Sequence, residues 1–286
     1  NGTTFSSNID VSDTSSGTIT LTDTQDNSNI IFSSNVTADS FTTAAQGYDI
    51  FFQGDATFAN AVTFQNTETL DLGNATSDTL TFNGGLTTTS VGGTVTLNGE
   101  IESSNDAIVL GAVTLGSATT IDTDASSNTG DITIAAITGG SNNLTLSTGD
   151  NVSGADITAS GAISGLGNLT LADVGGTATL SADVDVTTLT IGNTVVNVAF
   201  TGNGSSVASA FTPNNTGTFI FGTSGGTQTY NGGLNTASVD GTVTLNGTVA
   251  TSNDAVVLGA VTLGSATTID TNASSDAGDI TIAAIT

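Results

Sequence analysis

Lysine, arginine, histidine, cysteine, methionine and tryptophan are all missing from this 286-residue chain, and proline occurs once. Each absence excludes something. Side-chain recognition of phosphate needs Lys or Arg, so no nucleic-acid partner is expected. The charged residues are all acidic, giving a net charge of -26. Anionic membrane surfaces repel such a chain, and no apolar run is long enough to span a bilayer, so no membrane insertion is expected. Without cysteine there is neither a disulfide framework nor thiol chemistry. No leader is visible and the first residue is not Met, so the chain reads as a mature or excised segment of something longer.

What is present is Thr, Ser, Asn, Asp, Gly and Ala around a sparse set of Val, Ile, Leu and Phe. β-Branched residues suit a pleated surface, while Gly and Asn suit turns. The composition alone also suits a disordered acidic chain. Regular placement of the apolar residues argues for order instead. Apolar-x-apolar triplets recur at Val95/Leu97, Ile108/Leu110, Ile132/Ile134, Leu144/Leu146, Leu169/Leu171 and Leu189/Ile191, most often with Thr between. This alternation turns one wall of a strand inward and the other toward water.

The strongest signal is a duplication. Residues 81–138 recur as residues 229–286, an offset of 148, with 12 differences over 58 positions. A weaker match continues upstream, where Phe32, Val36, Phe41 and Phe52 meet Leu180, Val184, Leu189 and Phe200. Short strands at this spacing also fit a sandwich or barrel, or two globular domains. Tandem duplication without a linker favours stacking along one axis, where each unit needs only its neighbours. The expectation is therefore all-β: a right-handed parallel β-helix (β-solenoid). It would have about 12 coils of about 20–25 residues, and a rod about 60 Å long at the strand spacing of about 4.8 Å. Residues 1–138 form a first, truncated unit and residues 139–286 a second, in one continuous solenoid.

Segments such as Gly167-Asn-Leu-Thr-Leu-Ala-Asp173, Gly130-Asp-Ile-Thr-Ile-Ala-Ala-Ile137 and Asn143-Leu-Thr-Leu-Ser147 resemble the coils of filamentous-haemagglutinin-like and autotransporter-type bacterial surface proteins. The resemblance covers nearly the whole chain as a pattern. It implies a β-helical shaft and an extracellular or cell-surface location; it does not imply an adhesive target. The Asn-Pro motifs of that family's secretion domain are missing, since Pro213 follows Thr212.

Chemistry is sparse. Without His or Lys, a nucleophilic triad has no base other than a carboxylate. A carboxylate pair could hydrolyse glycosides if held about 5–10 Å apart, but no aromatic-rich cleft accompanies one. The chain is read as no enzyme. Ca²⁺ takes oxygen ligands, and the candidate ligands are Asp122, Asp124, Asn128 and Asp131, repeated as Asp270, Asn272, Asp276 and Asp279. The spacing is not that of an EF-hand or a calcium-binding β-roll, and acids on a solvated turn explain it equally. No other cofactor is expected. Threonine pairs at 94/96, 188/190, 227/229 and 242/244 could form an ice-binding array, but their uneven spacing argues against one flat register. Asn-Gly at 83–84, 98–99, 231–232 and 246–247 should supply positive-φ corners. The functional expectation is a structural or adhesive rod that stacks end to end or continues into a longer chain, since open coils leave unpaired strand edges. A host or cell-surface glycan or protein would be its partner. A ligand-binding solenoid (glycan, Ca²⁺ or ice) and a polysaccharide-active enzyme are the alternatives.

Overall fold

The computed structural model describes residues 2–12, 16–22, 26–124, 126, 129–149, 154–272, 274 and 277–286. Among these residues there is no helix; 26 strands join one sheet through parallel pairings. The sheet is wound into coils with three faces. Outward-pointing residues give the clearest register. On face 1 an unbroken column runs Thr4, Ile31, Phe51, Asp71, Thr96, Thr114, Thr138, Ser164, Asp185, Ser206, Thr229, Ala250, Asp270. Its thirteen positions are twelve steps, so the solenoid has about twelve turns. At about 4.8 Å per step the rod is about 58 Å long.

The apolar-x-apolar triplets build this coil directly. Val36–Ala38, Tyr48–Phe52, Leu70–Leu72 and Phe219–Phe221 alternate buried and partly exposed positions. Like residues therefore stack upon like along the axis. Phe5, Phe32, Phe52, Leu72, Leu97 and Leu115 form one inward column on face 1. The rings of Phe32 and Phe52 are parallel with centroids 4.9 Å apart. Such continuous burial, repeated at every coil, is the main source of stability in a solenoid.

Coil length is not uniform. Thr3 pairs with Ile30, 27 residues on, and Val95 with Val113, 18 residues on. The variation is absorbed in the corners, which leaves the columns in register. Asparagine plugs two corners from inside. Asn66 is buried and its amide donates to the carbonyls of Tyr48, Glu68 and Thr69 at 3.2, 3.0 and 2.9 Å. Asn215 does the same toward Val196, Gly217 and Thr218.

Glycine is required at only some of the Asn-Gly corners. Gly99 and Gly247 have φ of 69° and 66°, as expected. At 83–84 and 231–232 the positive φ falls instead on the following glycines, Gly85 and Gly233, both at 95°. A second glycine was available there, so the chain turns one residue later. A Cβ at Gly99 would lie 2.2 Å from the carbonyl oxygen of Asp78.

Candidate functional surfaces

The acidic loops after Asp122 and Asp270 are built alike. Asp124 and Asn272 have positive φ (41° and 44°), and each donates its backbone N–H to the preceding aspartate, Asp122 or Asp270, at 2.9 Å. Such Asx turns let the side chain replace a missing backbone partner. The amides of Ser126 and Ser274 donate to the Asn105 and Asn253 side chains of the preceding coil at 2.7 Å. Asp131 accepts the Asp156 amide at 2.8 Å, and the carbonyl of Asp279 accepts from Val256. Asn128 and Asp276 lie outside the described residues. Among the described residues, no group of three or more His, Cys, Asp or Glu that could hold a metal ion is found.

Asp122 has closer company that its sequence neighbours do not reveal. On face 2 it continues the column Thr81, Glu102, Asp122, Ser147, and Glu100 stands in the adjacent column. Burial raises the Glu100 carboxyl above the ordinary range, with the charges of Glu102 and Asp122 adding to it. Burial likewise raises Asp122, opposed by hydrogen bonds from Asp124 and Ser147. Asp71 is raised by burial, and its Oδ1 has no hydrogen-bond partner. In the second duplicate Glu100 and Glu102 are replaced by Thr248 and Ala250.

The threonine pairs at 94/96, 188/190, 227/229 and 242/244 do not share a face. Thr96 and Thr229 are on face 1, Thr190 on face 2 and Thr244 on face 3. A different array is in register despite the uneven spacing, because the corners absorb the length differences. On face 3 the outward column reads Thr20, Thr42, Thr63, Thr87, Val109, Thr133, Thr158, Thr179. The Thr42 hydroxyl donates to that of Thr20 at 3.2 Å. It is a single rank, with Asp131 and Asp156 two residues before Thr133 and Thr158.

Among the described residues, the surface concavities include three. One of about 310 Å³ lies between Phe211, Leu234 and Ala255, and Asp254 is its only carboxylate. One of about 240 Å³ is lined by Gly93, Thr94, Ala112, Val113, Thr114, Ala136 and Thr138. The third, about 280 Å³ and apolar, opens at the last coil between Leu263, Ile280 and Ile285. None of these three is lined by more than one carboxylate.

The last coil offers the sharpest contrast between the duplicates. Leu263, Ile280 and Ile285 are 46%, 47% and 59% exposed, whereas Leu115, Ile132 and Ile137 are at most 3% exposed. The difference is the coil that follows the first set: Ile157 and Ile163 stack on Ile132 and Ile137. Comparison with protein-family models, with curated proteins and with solved structures finds no match for this chain.

Proposed function

We propose that the chain is a structural segment of an extracellular rod, right-handed in its winding, of the kind that forms the shafts of filamentous-haemagglutinin-like bacterial surface proteins. One observation carries the reading: a column of parallel-paired positions runs unbroken through twelve steps over one continuous apolar core. A structure of this kind transmits length and stiffness rather than chemistry. Right-handedness follows from the general sense of parallel crossover connections. The surface of hydroxyls, amides and unopposed carboxylates keeps neighbouring rods apart, and the lack of Lys and Arg removes trypsin sites. Adhesion to a glycan or protein on a host or cell surface is part of the same proposal.

Rods of this kind are extended by adding coil to coil. Leu263, Ile280 and Ile285 form a surface that the first duplicate buries beneath another coil, so a further coil, from the same chain or a second copy, is the partner it fits. Electron microscopy tests this. The expected result is thin filaments of uniform width whose lengths grow with concentration, and Ile280→Asp should stop that growth. Compact particles at every concentration would overturn the filament reading. The face 3 threonine column favours a second reading, an ice-facing surface; thermal hysteresis abolished by Thr63→Tyr would support it.

A further inference from the structure

The duplicated stretches do not lie one above the other. Along face 1 the column from Thr96 to Thr229 makes six turns. The chain then passes face 2 at Leu234 and reaches face 3 at Val243. Val243 is the duplicate of Val95, which is on face 1. The offset of 148 residues is therefore six turns and two faces, and the second copy is rotated by about 120° about the axis.

The rotation prolongs the threonine column of face 3. The outward pairs Thr94/Thr96, Ala112/Thr114 and Ala136/Thr138 are on face 1, and their copies Thr242/Thr244, Ala260/Thr262 and Ala284/Thr286 are on face 3. Above Thr179 the column continues through Ala199, Ile220, Thr244, Thr262 and Thr286, and the hydroxyls of the last two lie 3.0 Å apart. Ten of its thirteen positions from Thr20 to Thr286 are Thr, the others are Val109, Ala199 and Ile220, and none is charged. A second outward rank runs beside it, two residues earlier in the chain, through Thr177, Asn197, Thr218, Thr242, Ala260 and Ala284. Lower down, that rank is interrupted by Asp131 and Asp156, each held by a backbone amide of the next coil. From Thr177 upward neither rank holds a carboxylate. The face 1 column carries Asp71, Asp185 and Asp270, and the face 2 column Asp10, Glu102 and Asp122. In a chain of net charge -26, upper face 3 is thus a neutral side.

We propose that the rotated copy completes an ice-binding plane on face 3, where the threonine column gains a second neutral rank from Thr177 to Thr286; the proposal rests on the ice-facing reading of that column. The widened stretch is about 24 Å long, five steps of about 4.8 Å. Ice holds its oxygens at fixed points and excludes ions, so a surface that fits it is rigid, periodic and uncharged. A carboxylate pressed against it would lose its hydration with no partner in return. Backbone ladders fix the spacing of the ranks, and Thr, Val and Ile are stiff at χ1. Their methyls and hydroxyls therefore hold one orientation with little freedom left to lose on binding. The equivalent threonines of the first unit lack this setting, because Thr96 and Thr114 share their column with Asp71 and Asp185.

Thermal hysteresis of the full chain, with adsorption of the labelled protein to growing ice, tests this. The unaltered chain should show both. Thr244→Tyr and Thr262→Tyr should lose hysteresis at least as fully as Thr63→Tyr. Thr96→Tyr and Thr114→Tyr, the same changes at the duplicate positions on face 1, should keep it. All five side chains point outward, so melting followed by circular dichroism should be close to that of the unaltered chain and exclude misfolding as the cause. No hysteresis in the unaltered chain would overturn the ice-facing reading itself. Hysteresis lost in Thr63→Tyr but kept in Thr244→Tyr and Thr262→Tyr would leave that reading standing and overturn the role of the rotated copy. Equal loss in the face 1 variants would overturn it as well.

Discussion

Truncating Phe52 to alanine should open the rod locally while leaving its far half intact. The Phe52 ring is 1% exposed, stacks on Phe32 at 4.9 Å and meets Phe41, Phe58 and Phe64 at 5.5, 5.9 and 6.2 Å. Removing a buried phenylalanine in such a site costs about 4 kcal/mol. Phe5 makes the matched control. It sits in the same column but is 38% exposed and stacks only on Phe32, at 5.1 Å. Its truncation should cost about 1 kcal/mol, mostly one aromatic contact. The difference of about 3 kcal/mol is about a hundredfold in opening constant. Hydrogen exchange reads it directly. The amides of Ile50 and Gln53, bonded to Thr69 and Phe32 carbonyls, should lose protection by that factor in Phe52→Ala. Amides of Leu144–Ser147 and beyond should not, because each coil couples only to its neighbours. Equal loss along the whole rod, or a Phe5→Ala effect as large as Phe52→Ala, would refute nearest-neighbour stacking as the source of stability.

Gly99→Ala should be far more damaging than Gly225→Ala: both have positive φ, costing about 1–2 kcal/mol, but only at Gly99 would the new Cβ strike a carbonyl, and denaturant midpoints would show it. Asn66→Ala removes three side-chain hydrogen bonds to corner carbonyls, of which that of Thr69 keeps the Ile50 amide as a donor, costing about 2–3 kcal/mol, whereas Asn60→Ala, which loses one exposed bond to Ser40, should cost under about 0.5 kcal/mol. Stability should rise as pH falls from neutral toward the ordinary carboxylate range. Asp71, Glu100, Asp122 and Asp185 are all raised, chiefly by burial. In that window the folded rod holds more protons than the unfolded chain, so raising pH through the folded values lowers stability. Melting temperatures between about pH 4.5 and 7 check the sign, and Asp71→Asn should flatten the slope.

Which parts of this structure could be read from the sequence follows from where the information lies. Period-2 alternation is local, so the strands around Val95/Leu97 and Ile132/Ile134 are visible as soon as the triplets are aligned. The duplication, combined with the absence of a linker, extends this to a parallel stack. Register between coils is another matter. It depends on how many residues each corner absorbs, and corners such as that between Thr63 and Leu70 are set by Asn66, an asparagine indistinguishable in sequence from any solvent-facing one. For the same reason the threonine column on face 3 was hidden: Thr42, Thr63 and Thr87 are unevenly spaced in the chain and evenly stacked in space. The acidic loop shows the converse. Asp122 and Asp124 are close in sequence and form a turn, while the carboxylates that perturb Glu100 come from a strand mate and from the next coil.

The same logic explains why duplication need not preserve facing. Copying 148 residues copies the corners along with the strands, so the copied stretch reproduces its own internal register: Val95 pairs with Val113, and Val243 with Val261. Nothing in that internal agreement fixes which face the copy starts on. The start is set by the number of faces in the copied length, and twenty faces leave a remainder of two when divided among three. The core accepts the rotation because all three walls are lined by apolar residues that pack against whichever coil comes next. A core built from unlike walls, such as a wholly aromatic face 1, would have rejected it. Aromatic side chains cluster near residues 32–82 and again near 200–230, on both sides of an aliphatic middle, with Phe52 and Phe82 meeting Phe200 and Tyr230 at the same offset. Interchangeable walls are thus what allow a tandem copy to turn as it climbs.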